Sequence, residues 1–247
     1  MSALGATTDS VVALLKTATI LDLVAIGQRA DPGVPLLIRG EAGVGKDILA
    51  RLIHVASTGR PSSFIKVNCG ARPVERCDAD LFGHEKGADP LATRRRLGGF
   101  EFANHGTIYL DQIEALPRPL VPKLFHVLRM GEVSRAGGRE VIRVDSRVIA
   151  STVESTRAGG DNDFWWLELQ RLNVIEICIP PLRQRTQEIP LFASYFLEAF
   201  NRRYGRNVQL RSDVMTTFRA RAWPRNLLEL EETVHRLVTG GVMAPAH

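Results

Sequence analysis

Gly40-Glu41-Ala42-Gly43-Val44-Gly45-Lys46-Asp47 sets glycines, a lysine and carboxylates close together, directly after the apolar run Val34-Pro35-Leu36-Leu37-Ile38. Glycines at 40, 43 and 45 let the backbone turn tightly and aim successive N–H groups at one anion. A helix expected over Asp47–His54 adds its positive N-terminal end, and Lys46 supplies a mobile point charge for terminal phosphates. The spacing G-x-x-x-x-G-K between a strand and a helix is that of a phosphate-binding loop, so Gly40 through Ile48 are candidate nucleotide-binding residues. A plain Gly-rich turn with a surface lysine is the alternative, and the strand–loop–helix order argues against it. Asp47 stands where a hydroxyl would normally hold magnesium, which makes it a candidate metal ligand instead.

Gly106-Thr107-Ile108-Tyr109-Leu110-Asp111 is a β-rich run ending in a carboxylate, the usual place for a residue that holds Mg2+ through water. A strand-end turn residue is the plain alternative for Asp111; the following Ile113-Glu114-Ala115-Leu116 favours the motif. A hydrolysing enzyme normally puts an acid next. Gln112 can orient a water but cannot take its proton, and losing one general base costs on the order of 10²–10⁴ in rate. The residues therefore describe a site for a nucleoside triphosphate with Mg2+ that hydrolyses it weakly or not at all.

These residues need a scaffold. Strands are expected at Leu36–Arg39, Phe64–Asn68, Ile108–Asp111, Arg147–Thr152 and Val174–Ile179, with helical stretches between several of them. That order implies an α/β fold with a mostly parallel sheet covered on both faces. An amphipathic helix is expected over Asp9–Gln28, with Val12, Leu15, Ile20 and Leu23 on its apolar face. Pro180-Pro181 ends the last strand. Helices near Ile189–Arg203, Ser212–Ala220 and Asn226–Leu237 then form a small lid, with Ser212 and Asn226 as expected caps. The division expected is 1–181 for the nucleotide-binding part and 182–247 for the lid.

At 247 residues the chain is long enough for one sizeable core and a smaller subdomain. No apolar run approaches a membrane span, and the N-terminus lacks the pattern of a secretion signal, so a cytoplasmic protein without membrane contact is expected. Cys69, Cys77 and Cys178 show no metal-ligand spacing and are expected as buried thiols. The net charge is +5, with clusters at Arg94-Arg95-Arg96, Arg202-Arg203 and Arg219 to Arg225. Solvated arginine faces explain these more readily than a nucleic-acid channel.

The chain resembles the central AAA+ domain of bacterial enhancer-binding proteins, the activators of sigma-54 RNA polymerase, from about Gly27 to Gly240. The resemblance is carried by Arg39 through Lys46, Val67-Asn68-Cys69, Asp80-Leu81-Phe82-Gly83-His84-Glu85-Lys86-Gly87-Ala88 and Gly99-Phe100-Glu101-Phe102-Ala103-Asn104. It continues through Gly106 to Asp111, Gly131-Glu132-Val133-Ser134-Arg135, Arg171-Leu172-Asn173-Val174, Pro180 through Arg185, and Trp223-Pro224. The resemblance implies an AAA+ P-loop NTPase fold with a helical lid, and a homo-oligomeric ring, a hexamer or smaller. In that ring Arg171 would be offered to the neighbouring subunit's ATP. It implies a partner in RNA polymerase or its sigma factor, with DNA reached only through a domain outside this sequence. Asn68 matches the asparagine that restrains the catalytic acid; a strand-end hydrogen bond is an equally good role for it.

The departures from the family all point one way. Gln112 replaces the catalytic glutamate, Val153 the sensor I asparagine, Trp165 an arginine of the finger pair, and Leu228 the sensor II arginine. Arg225, close by, is a candidate substitute from a shifted place, and nothing in the sequence shows that it serves as one. Asp89-Pro90-Leu91-Ala92 replaces Phe-Thr-Gly-Ala at the tip of the loop that touches sigma-54, removing its aromatic contact and stiffening the turn. An engineered Gln112 would not account for the other losses; natural erosion accounts for all of them. The expected function is a transcription-regulator domain governed by nucleotide occupancy, without productive sigma-54 contact. A slow but genuine ATPase is one alternative. A cyclic di-GMP sensor working with another sigma factor, through Arg60, Arg183 and Arg185, is the other.

Overall fold

The computed structural model describes residues 17–58, 62–70, 73–88, 90, 92–153, 169 and 171–240. The chain divides into two compact units, each built from separate stretches. One takes the described residues of 26–39 and 53–178; the other takes those of 1–25, 40–52 and 179–247.

The first unit holds a five-stranded parallel sheet of β1 (Leu36–Arg39), β2 (Phe64–Asn68), β5 (Thr107–Asp111), β8 (Arg147–Thr152) and β9 (Ile175–Cys178). Their order is β2-β5-β8-β1-β9. β1 and β8 are buried at every position, as parallel strands covered on both faces should be. β2 and β9 lie at the edges and are only partly buried. Helices α3 (Val74–Phe82), α4 (Gly99–Phe102) and α5 (Val121–Met130) bring Leu81, Phe82, Phe100 and Leu124 into one core with Val67, Ile108 and Leu110. All five expected strands form, within a residue of their expected ends.

A two-stranded hairpin, β3 (Gly83–His84) with β4 (Arg96–Leu97), carries the segment that ends in the altered loop tip. Gly83 has φ 78°, and a Cβ there would stand 2.5 Å from the Arg96 carbonyl, so only glycine closes this stem. The short pair β6 (Glu132–Val133) and β7 (Ile142–Arg143) flanks it. Arg135, with 4 % of its side chain exposed, binds both oxygens of Glu101 and also Glu85 and Glu140. Glu101, then Glu85, hold its pKa well above the ordinary arginine value. At the far end of the stem the Gly87 N–H donates to the Ala92 carbonyl at 2.8 Å. The loop base thus persists; Asp89 and Leu91 lie outside the described residues.

The second unit carries the phosphate-loop residues and the helices α6 (Ile189–Tyr204), α7 (Ser212–Ala220) and α8 (Asn226–Thr239). α6 and α8 run to the left-handed caps Gly205 and Gly240, slightly beyond their expected ends. Trp223 is fully buried; its indole N–H donates to the Phe218 carbonyl at 2.7 Å and its ring meets the edge of Phe218. Helix α2 (Lys46–Thr58) exceeds the expected Asp47–His54, and α1 (Ala18–Arg29) is the described part of the N-terminal helix. Val12 and Leu15 lie outside the described residues.

Two expectations are corrected. Ser212 and Asn226 do not cap their helices: both are first helical residues, and Arg211 and Arg225 precede them without a side-chain capping bond. Cys178 is exposed rather than buried, because it ends the edge strand β9, whose alternate residues face outward; Cys69 and Cys77 are buried. No described helix is long and apolar enough to cross a membrane.

Candidate functional site

The loop from Gly40 to Lys46 leaves the sheet at the carboxyl end of β1. Gly43 has φ 77°, and a Cβ there would lie 2.5 Å from the Arg225 carbonyl and 3.1 Å from the Leu228 side chain. Both facts demand glycine. The Lys46 ammonium folds back to donate to the Gly40 carbonyl at 2.8 Å and the Glu41 carbonyl at 2.9 Å. Val44 and Ile48 are buried and anchor the loop and the start of α2. Asp47 is on the first turn of that helix.

The lid segment is stitched to this loop. Asn226, fully buried, accepts from the Leu182 N–H at 2.8 Å and donates to the Ala42 carbonyl at 3.0 Å and Glu41 Oε2 at 3.1 Å. The Leu227 N–H donates to the Gly43 carbonyl at 3.0 Å. Arg183 grips Glu41 with both Nη atoms, at 2.9 and 2.6 Å. That grip, reinforced by Asn226 against the cost of burial, lowers the Glu41 pKa. Arg185 is 1 % exposed; it donates to the Val44 carbonyl at 2.8 Å and pairs with Glu188 at 3.3 Å. Leu228 projects half-exposed beside Gly43, an apolar side chain where the family's arginine is expected.

In the other unit, Asp111 ends β5 level with Asn68 on β2. Its Oδ1 accepts from Ser151 at 2.9 Å and Tyr109 at 3.2 Å, and its Oδ2 pairs with Lys66 at 2.9 Å. Burial alone would raise its pKa; Lys66, Ser151 and Tyr109 outweigh that and hold it below the usual aspartate value. A carboxylate kept ionised in this way fits a water-mediated metal ligand. Among the described residues no cluster of three or more His, Cys, Asp or Glu could hold a metal unaided.

Gln112 adopts a left-handed backbone, φ 58° and ψ 56°, at the turn out of β5. Its Oε1 lies so close over Gly70 that a Cβ there would come within 2.2 Å of it. Asn68 Oδ1 accepts the Gly70 N–H at 2.7 Å, which realises its strand-end role. Val153 continues from the end of β8, and its N–H donates to Glu114 Oε1 at 3.1 Å. Arg171 sits exposed in the turn before β9. Arg60, Trp165 and Trp166 lie outside the described residues.

Sequence reasoning missed Lys66, Tyr109, Ser151 and the linking role of Asn226. Tyr109 and Asp111 share a face by strand alternation, a signal available in the sequence. Lys66 and Ser151 join them only through the non-local order of the strands.

A profile described as the Sigma-54 interaction domain matches residues 15–178, and one described as the AAA+ ATPase lid domain matches 183–242. Regulatory protein AtoC of Escherichia coli K12 is 41% identical over 205 residues, covering 82% of this chain and 44% of AtoC. The C4-dicarboxylate transport transcriptional regulatory protein DctD of Rhizobium meliloti is 39% identical over 213 residues, 85% of this chain and 46% of that protein. The chain thus spans under half the length of these two relatives. Among solved structures, NtrX from Brucella abortus in complex with ADP superposes with a TM-score of 0.76 at 28% identity, over 91% of this chain and 50% of NtrX. Parallel sheet, phosphate-loop sequence, helical lid and these matches agree: the chain belongs to the sigma-54 interaction domain family of AAA+ transcriptional activators.

Proposed function

We propose that this domain binds ATP and ADP, with Mg2+, and hydrolyses ATP weakly or not at all, so that nucleotide occupancy sets assembly and partner contact. Gly40 through Ile48 would cradle the phosphates, Lys46 exchanging its two carbonyls for phosphate oxygens; Asp47, on the first turn of α2, and Asp111, at the end of β5, are each a candidate metal ligand. The related NtrX has been solved with ADP and with ATP, which supports a nucleotide here. The observation that carries the reading is Gln112: an amide stands in the acid's place and is turned over Gly70, while neither Val153 nor Leu228 can hydrogen-bond to a phosphate through its side chain. The division at 181/182 fits this reading, since one family profile ends at 178 and the next begins at 183.

The protein acts in this reading as a cytoplasmic regulator that forms a ring-type oligomer, in which Arg171 is the residue offered to the neighbouring copy's nucleotide. The altered tip 89–92 removes productive sigma-54 contact, leaving any influence on RNA polymerase indirect. Slow hydrolysis is the second reading, with Gln112 orienting water and Arg171, exposed in the turn before β9, acting across a ring interface. Cyclic di-GMP draws no support from two of its three arginines, because Arg185 is buried on Val44 and Arg183 is held by Glu41. Calorimetry tests the proposal: ATP binds, and Lys46→Ala abolishes binding. No binding, or binding indifferent to Lys46→Ala, overturns it.

A further inference from the structure

Every carbonyl of the phosphate loop from Gly40 to Val44 accepts a hydrogen bond. Lys46 Nζ donates to those of Gly40 and Glu41, Asn226 Nδ2 to that of Ala42, the Leu227 N–H to that of Gly43, and Arg185 Nη2 to that of Val44. The last three donors come from the lid segment, which lies in the same compact unit as the loop. A trans peptide is planar, with its C=O and N–H on opposite edges. No peptide here is cis, so holding the carbonyls of Ala42, Gly43 and Val44 turns the N–H groups of Gly43, Val44 and Gly45 away from the groups that hold them. Among the described residues nothing accepts those N–H groups.

Arg185 is the costly member of this set. It sits between the 3-10 turns Leu182–Gln184 and Thr186–Glu188, 1 % exposed, with Nη1 on Glu188 at 3.3 Å. Burial lowers its pKa, and Glu188 offsets that only in part. Its Nε is shut off from solvent and meets no acceptor. A buried, incompletely satisfied guanidinium is a poor source of stability. What it supplies is a charged donor 2.8 Å from the Val44 carbonyl, at a peptide that runs into glycine. Gly45, with φ 102°, tolerates backbone conformations closed to other residues, so without a fixed donor that peptide is free to turn over. Turned over, it would put a carbonyl oxygen where an N–H now points.

We propose that Arg185 is a positioning residue for phosphate binding. Through the Val44 carbonyl it fixes the sense of the Val44–Gly45 peptide, and so presents the Gly45 N–H, just before α2, to the phosphates of a nucleotide. The proposal rests on the nucleotide-binding reading and gives it a residue that acts without touching the ligand. Glu188 also accepts the Thr19 N–H, at 3.3 Å, so the Arg185–Glu188 pair reaches the start of α1 as well. A purely structural role would lie in that link and would leave the loop's hold on phosphate unchanged.

Arg185→Met combined with Glu188→Gln removes the donor without stranding a buried carboxylate, and the glutamine keeps an acceptor for Thr19. Affinity of the full chain for a fluorescent ATP analogue is measured beside urea unfolding and amide exchange at Gly45 with and without ADP. The double variant should bind the analogue about 10- to 100-fold more weakly, the worth of one charged hydrogen bond, and its Gly45 N–H should lose the protection that ADP confers in wild type. Unchanged affinity overturns the proposal, as does an equal loss in Glu188→Gln alone, which keeps the Val44 bond. Weaker binding with Gly45 still protected at saturating ADP assigns the residue to structure and also overturns it. Should urea unfolding show that the double variant does not fold, wild type decides: protection by ADP that reaches Gly45 sustains the proposal, and protection of Lys46 and Asp47 without Gly45 overturns it. An analogue that does not bind wild type at all is the separate sign that the nucleotide reading is wrong.

Discussion

Asn226→Ala should be among the most damaging single changes in the unit that carries the phosphate loop. Asn226 is fully buried and makes three hydrogen bonds at 2.8–3.1 Å, to the Leu182 N–H, the Ala42 carbonyl and the Glu41 carboxylate. Each such bond is worth about 1 kcal/mol net, and the stranded Leu182 N–H adds a desolvation cost of about 1–3 kcal/mol. Its φ is 53°, a left-handed conformation that asparagine tolerates and that costs alanine about 1–2 kcal/mol. The effects overlap, so the expected loss is about 3–5 kcal/mol, at the upper end for point mutations. Urea unfolding followed by circular dichroism reads it directly. Asn226→Gly removes the backbone strain but keeps the lost hydrogen bonds, so it should be the milder change by about 1 kcal/mol. A loss below about 1 kcal/mol for Asn226→Ala would refute the three-bond linkage and its assigned weight.

Gly43→Ala should abolish ATP-analogue binding, because its Cβ would meet the Arg225 carbonyl at 2.5 Å and its φ of 77° disfavours alanine; unaltered affinity would contradict the loop geometry. Asp111 has a lowered pKa, so its contribution to stability is present above the ordinary aspartate value of 3.8 and is lost as pH falls through the lower folded value. Lys66→Met removes the largest of the influences that lower the Asp111 pKa, so acid unfolding should begin at a higher pH than in wild type; coincident acid-unfolding curves would show that Lys66 does not sustain the charge.

The strands were legible because parallel strands buried on both faces read as short apolar runs, and Leu36–Arg39 and Arg147–Thr152 are such runs. The phosphate loop was legible because glycine spacing is a local property. Asn226 was misread as a cap for the opposite reason: its partners Leu182, Ala42 and Glu41 are remote in sequence, and tertiary bonding outcompeted local capping. Cys178 was misplaced because nothing local marks β9 as an edge strand. Glu114 counted only as part of an acidic turn supporting the Asp111 motif. Its reach to Val153 depends on β8 lying beside β5, which follows from sheet order.

The central claim concerns a nucleotide cradle kept after the usual acid was lost. Its most direct measurement is ATP affinity and steady-state phosphate release for wild type beside Gln112→Glu. The account predicts comparable affinities, with wild-type turnover lower by about 10² or more. Wild-type turnover equal to that of Gln112→Glu would contradict it, and so would a wild-type domain that binds no nucleotide.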